Sequence, residues 1–227
     1  MNDKVHQARP TRDAKQARGI KLTVLCLAVF IAIVVAGFVH RIQQSRVMSA
    51  AEMKINGLYL LGTPRNFGEF ELIDHHGQPF NRARLEGGWT LVFFGFTYCP
   101  DICPTTMSFL NDFMGQLAGT EAEDTRVVMV TVDPARDTVE QLATYVPYFN
   151  PNFIGVTGDF LDIHRFATAL NTPFRKVSGE GGEYQVDHSA NVVLINPRGD
   201  YHGFFKAPLD MAKMKVTYHS ARTLWNH

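Results

Sequence analysis

Cys99 and Cys103 stand three residues apart, each followed by proline, at the end of the run Thr90-Leu-Val-Phe-Phe-Gly-Phe-Thr-Tyr-Cys99-Pro-Asp-Ile-Cys103-Pro. The chain has three cysteines, and the third, Cys26, lies in an apolar N-terminal run. The pair therefore holds all the thiol chemistry of the rest of the chain. Two thiols this close can form a structural disulfide, cycle as a redox couple, or supply half of a soft-metal site. A residue before proline is pushed out of the α region, so both cysteines are biased toward extended or turn geometry. Pro104 suits the first position of a helix, where a missing N–H costs nothing. Cys103 would then lie near the N-cap, where the helix dipole favours thiolate over thiol. A thiolate is both nucleophile and metal ligand, so this placement does not choose between those roles.

Spacing separates them further. Thioredoxin-like oxidoreductases place two residues between their cysteines, whereas Pro100, Asp101 and Ile102 intervene here. A disulfide needs Cβ atoms about 3.5–4.5 Å apart, while two sulfurs can hold a metal at about 2.3 Å from each across a wider loop. A structural bridge remains the plain alternative, although such bridges usually staple distant segments. Two sulfurs alone leave a metal site open, and histidine is the natural third ligand.

The nine histidines are His6, His40, His75, His76, His164, His188, His202, His219 and His227. His75-His76 reads as a solvated pair in a polar turn, His164 as a surface residue, and His202 as part of a late hairpin. His188, in Val186-Asp187-His188-Ser189-Ala190 just before the apolar run Asn191–Ile195, is the candidate ligand. The alternative is a surface histidine paired with Asp187. Asp101 reads as an exposed loop acid and Met107 as helix core. Asp133 and Arg136 suit a cap or an ion pair.

The elements that must position these groups alternate. Thr90–Thr97 is apolar on both faces, as a central buried strand would be. Met107, Leu110, Phe113, Met114 and Leu117 then recur at helical spacing. A second buried strand over 126–132, a helix over 138–146, a short strand over 154–157 and a helix capped by Asp159 follow. A Gly-rich turn at 179–182 precedes a strand over 191–195, a turn at Asn196–Gly199, a strand over 201–205 and a final helix from about Leu209. An early hairpin over 70–80 turns at Asp74–Gly77. Strands alternating with helices and a late hairpin imply an α/β protein with a central mixed sheet flanked by helices, parallel in its first half. A thiol pair at the C-terminal end of a central strand is the thioredoxin-like arrangement.

The N-terminus differs in kind. Residues 22–39 carry no charge and are nearly all apolar, the minimum for a spanning helix. Residues 1–21 hold six Lys or Arg against two Asp, a +4 tail, so residues 22–227 carry −4 of a total of zero. Flanking positive charge keeps such a tail in the cytoplasm and sends the rest across the membrane. A cleaved signal peptide is the rival. Its apolar core is usually shorter, and Val47-Met-Ser-Ala50-Ala51 is only an approach to a cleavage site, so an uncleaved transmembrane anchor fits better. The resulting organisation is a basic tail over 1–21, an anchor over 22–39, a tether over 40–66 and an α/β domain over 67–227. That domain would face the periplasm, or the intermembrane space in a mitochondrion. A mildly acidic domain without basic runs gives no reason to expect nucleic acid.

Taken together these residues resemble the Sco/SenC family of membrane-anchored, thioredoxin-like copper proteins. Cys99-Pro-Asp-Ile-Cys103-Pro is similar to the family's CxxxCP motif, Thr131-Val-Asp133-Pro134-Ala-Arg136-Asp137-Thr138 to its second-strand segment, and Asp187-His188-Ser189 to its histidine motif. A single N-terminal anchor precedes all three, and the resemblance covers roughly residues 60–220. It implies one copper ion, Cu(I) or Cu(II), held by Cys99, Cys103 and His188. It further implies delivery of copper to the binuclear site of cytochrome c oxidase subunit II or another cuproprotein, with another periplasmic copper chaperone as a possible donor. The alternative is a thiol–disulfide reductase that keeps cuproprotein cysteines reduced. A peroxiredoxin-like peroxidase fits poorly, because its threonine would fall at Phe96, one place from Thr97.

Overall fold

The computed structural model describes residues 14–43, 47–120, 122–178 and 184–225. The distal part of the basic tail, His6, the Gly-rich turn at 179–182 and His227 lie outside them. The chain divides into two units, residues 1–46 and 47–227. The first contains helix α1 (Ala14–Gln43), in which Gln16–Val39 is long and apolar enough to cross a membrane. Leu25, Phe30 and Ile33 on this helix are more than half exposed.

The second unit is built on β4 (Thr90–Gly95), whose six residues are all buried. β5 (Arg126–Thr131) and β6 (Ile154–Thr157) extend it in parallel, with Phe93 opposite Met129 and Val130 opposite Val156. β9 (Val192–Ile195) lies antiparallel on the other side of β4, and β10 (Tyr201–Phe205) returns beside β9. The hairpin of β2 (Glu71–Asp74) and β3 (Pro79–Asn81) closes the far edge beside β6. The near edge is β1 (Leu58–Arg65), antiparallel to β10. The eight strands run in the order β1-β10-β9-β4-β5-β6-β2-β3. This is the mixed, helix-flanked sheet of a thioredoxin-like fold, parallel at its centre and antiparallel at both edges.

The tether expected over 40–66 needs correction. Its second half forms helix α2 (Ala50–Ile55), held by a capping box between Ser49 and Glu52, and then edge strand β1. Gly62 and Pro64 interrupt the strand pattern, yet proline is tolerated at a sheet edge, where one side of the strand needs no donor. No pattern in the sequence marks the ribbon formed by β7 (Arg175–Ser178) and β8 (Tyr184–Asp187), which among the described residues pair only with each other. β7 is wholly exposed and so lacks any apolar alternation to read.

Helices α3 (Ile102–Leu117), α4 (Val139–Phe149) and α5 (Phe160–Ala169) follow β4, β5 and β6 in turn, and α6 (Met211–Trp225) ends the domain. Thr138 and Asp159 cap α4 and α5 by accepting from the main-chain N–H of Gln141 and Leu161. Alternation along β4 assigns its two faces. Phe94 meets Phe166 of α5, whereas Phe93 points toward the cysteine end of α3.

Candidate metal centre

Parallel strands leave their carboxyl ends as the place where loops gather. β4 runs out at Gly95, and Phe96, Thr97 and Tyr98 carry the chain to Cys99. A buried carboxylate fixes this turn. Asp137, fully shielded, accepts from the Thr97 N–H (3.0 Å), the Thr97 hydroxyl (2.6 Å) and the Thr131 hydroxyl (2.7 Å). Burial pushes its carboxyl up in pKa, against the three donors that favour the charge. Thr97 is thereby committed to Asp137, consistent with its misfit to a peroxidase.

α3 begins two residues earlier than the prolines suggest. Asp101 is its N-cap, exposed and without a side-chain capping bond, so Cys103 is the second helical residue and Pro104 the third. Proline remains tolerable there because the first turn has no i−4 partners to lose. The helix start aims main-chain donors at sulfur: the Cys103 N–H reaches the Cys99 Sγ at 3.4 Å. The hydrogen bond from Cys103 pulls the Cys99 thiol down to about 5, burial opposing it and the N–H groups of Asp101 and Cys103 reinforcing it. Cys103 moves up, because it donates to Cys99 and is itself fully buried. The pair thus shares one proton, with the negative charge on the more accessible sulfur.

His188 completes the group. It leaves β8 just before β9 and packs edge-on to Phe93 and Phe96, at 6.0 and 5.7 Å between ring centres. Its Nδ1 lies 3.1 Å from the Ser189 carbonyl, which must accept, so the proton sits on Nδ1. Nε2 lies 3.4 Å from the Cys103 Sγ. The ligand atoms of Cys99, Cys103 and His188 all lie within 4.8 Å of one another, the arrangement of a group able to hold one metal ion. Asp187 pairs instead with Arg175, at 3.2 Å, which removes the alternative partner for His188. Two thiolates and an imidazole suit Cu(I) and leave a coordination position open.

The remaining candidates separate cleanly. Met107 is fully buried in the core and Asp101 is exposed, as their patterns imply. Asp133 and Arg136 do form an ion pair. His75 is not solvated. It is 4% exposed, and its Nδ1 accepts from the Gly155 N–H at 2.9 Å. The polar turn hides this because β6 covers it. His202 is likewise buried, edge-on to Trp89 and Trp225. Two contributors escaped sequence reasoning, Asp137 and Gly95. A Cβ on Gly95 would stand 3.0 Å from the Cys103 Sγ and 2.7 Å from the Phe93 ring, so only glycine lets α3 approach the strand there.

Comparison with known proteins identifies relatives of the chain and of its fold. A protein-family model described as SCO1/SenC matches residues 61–221. A Stutzerimonas stutzeri protein whose name refers to copper binding is 43% identical over 152 residues, spanning 67% of this chain and 74% of that one. The human mitochondrial SCO2 homolog is 39% identical over 144 residues, which are 60% of this chain and 53% of that protein. Among solved structures, Arabidopsis thaliana ScoI with copper bound superposes with a TM-score of 0.61 at 33% identity, covering 70% of this chain and 98% of that one.

Proposed function

This chain belongs to the SCO1/SenC family, and from that premise we propose that it is a membrane-anchored metallochaperone carrying one copper ion on Cys99, Cys103 and His188. The observation that carries this reading is the convergence of two sulfurs and one imidazole nitrogen within 4.8 Å. Relatives on which copper is seen, or for which it is named, support it. Cys99 meets the cargo as a thiolate, so loading Cu(I) displaces only the proton of Cys103. Three protein ligands leave room for an incoming thiolate, and ligand-by-ligand exchange hands the ion on.

The recipient in this proposal is the binuclear copper site of cytochrome c oxidase subunit II, reached from an anchor formed by α1. The +4 tail stays on the cytoplasmic side, and the domain works in the periplasm or, in a mitochondrion, the intermembrane space. A second reading is favoured by the asymmetry of the thiols. A Cys99 thiolate could attack a disulfide of a cuproprotein, and Cys103 could then close on Cys99, releasing the partner as a dithiol.

One experiment decides between them. The full chain in detergent, with its thiols reduced, is expected to bind one copper, and His188→Ala to weaken Cu(I) binding by about two orders of magnitude. The same variant is expected to lose copper delivery to an apo subunit II domain. Undiminished binding by His188→Ala would refute the three-ligand site. Undiminished reduction of an oxidised subunit II domain by that variant would favour the reductase.

A further inference from the structure

His188 depends for its position on a ribbon that the main sheet does not hold. Among the described residues no main-chain hydrogen bond joins β7 or β8 to the eight-stranded sheet, and β7 is exposed throughout. Val186 and Tyr184 pin the ribbon. Val186 is buried, and the Tyr184 hydroxyl donates to Asp133 Oδ1 at 2.8 Å, the one side-chain hydrogen bond between ribbon and sheet body among the described residues.

The acceptor is built as a fixed post. Asp133 is fully buried at the end of β5. Its own N–H donates to the Thr131 hydroxyl, and its carbonyl accepts from the N–H of Arg136 and Asp137. Its second carboxylate oxygen pairs with Arg136 Nε, and the Arg136 guanidinium lies over the Tyr184 ring at 4.0 Å. A buried carboxylate is costly to leave unpaired, so the charge holds both partners in place. Lys176 covers the same ring at 4.2 Å from within the ribbon. Three residues, hence four Cα steps or at most about 14 Å of extended chain, separate Tyr184 from His188.

We propose that Tyr184, with Asp133 and Arg136, is a latch that positions His188 toward the two cysteines. Tyr184 touches neither sulfur and acts through the histidine, so it is a positioning residue. The proposal rests on the three-ligand reading above and adds what sets the third ligand in place. Because Asp133 is buried and its loss could disturb the fold, the informative variant is Tyr184→Phe, which deletes one hydroxyl and keeps the ring.

The test is a double-mutant cycle on the full chain in detergent, read by competition for Cu(I) with a chromogenic chelator and by amide hydrogen exchange of the copper-free protein. Tyr184→Phe is expected to weaken Cu(I) binding on the order of tenfold, the worth of one hydrogen bond to a charged group. In a His188→Ala background it should change affinity by less than about twofold, because the latch has nothing left to position. Without copper, amides of β8 should exchange faster in Tyr184→Phe while those of β9 do not. Equal losses in both backgrounds, unchanged affinity, or unchanged β8 exchange would overturn the latch. If His188→Ala alone bound copper as well as the unaltered chain, the ligand assignment would fail instead, and exchange in β8 would decide the latch by itself.

Discussion

Cys99 and Cys103 are chemically identical residues four positions apart, yet the fold gives them opposite tendencies. Cys99 keeps 9% exposure and collects donors, and its thiol is pulled from the ordinary 9.0 to about 5. Cys103 is buried behind it, beneath Gly95, and is pushed the other way. Alkylation follows the thiolate. In the reduced, copper-free protein Cys99 should therefore be alkylated at a rate that is flat above neutral pH and falls by half near about 5. Cys103 should react far more slowly. In Cys103→Ala the half-point should move up toward the ordinary thiol value, since the largest cause is gone. A wild-type half-point near 9, measured by mass spectrometry of the alkylated peptides, would contradict this. The two sulfurs were legible in sequence because cysteine is scarce and its spacing is diagnostic. His188 was legible only by its place before a strand. Asp137 and Gly95 were not, because an aspartate that accepts from three local donors and a glycine that admits a sulfur look like any others until strand and helix are packed.

At the scale of elements, buried strands and helices read correctly from periodicity, because β4 and β5 have apolar centres, β9 is apolar throughout, and α3 to α5 keep one apolar face. β1 and the β7–β8 ribbon did not, because neither has two covered faces. The C-terminal helix shows how an element is fixed by contacts distant in sequence. Trp225 of α6 and Trp89 close on His202 of β10 at 5.5 and 5.1 Å, and Tyr218 reaches the Thr125 hydroxyl at 2.6 Å. Burial, with Arg198 adding to it, pushes the His202 imidazole down to about 4. The folded value lies below the ordinary 6.5, so the neutral ring is what the fold stabilises. That contribution is complete above about 6.5 and drains away as pH falls toward about 4, at most on the order of 3 kcal/mol. Urea unfolding should show stability falling across this window, and His202→Phe should flatten the fall. His75, also buried and lowered, leaves a shallower slope of the same sign. A profile in His202→Phe as steep as in the unaltered chain would exclude His202 as its source.

For the whole molecule, the two units divide the labour. Residues 47–227 hold every candidate ligand together with the Asp133–Tyr184 contact, and residues 1–46 hold the one described helix able to cross a membrane. In the proposed function, a copper carrier confined to a membrane surface would search a plane rather than a volume for its recipient. In the same proposal, delivery rests on the number of ligands: two sulfurs and one nitrogen would hold a soft ion while a fourth position stays open. The most direct measurement is X-ray absorption at the copper edge on the full chain loaded with one Cu(I), beside the His188→Ala variant. Two sulfur neighbours and one imidazole nitrogen in the unaltered protein, with the nitrogen lost in the variant, is the predicted result. An all-sulfur shell, or a nitrogen that persists without His188, would contradict it.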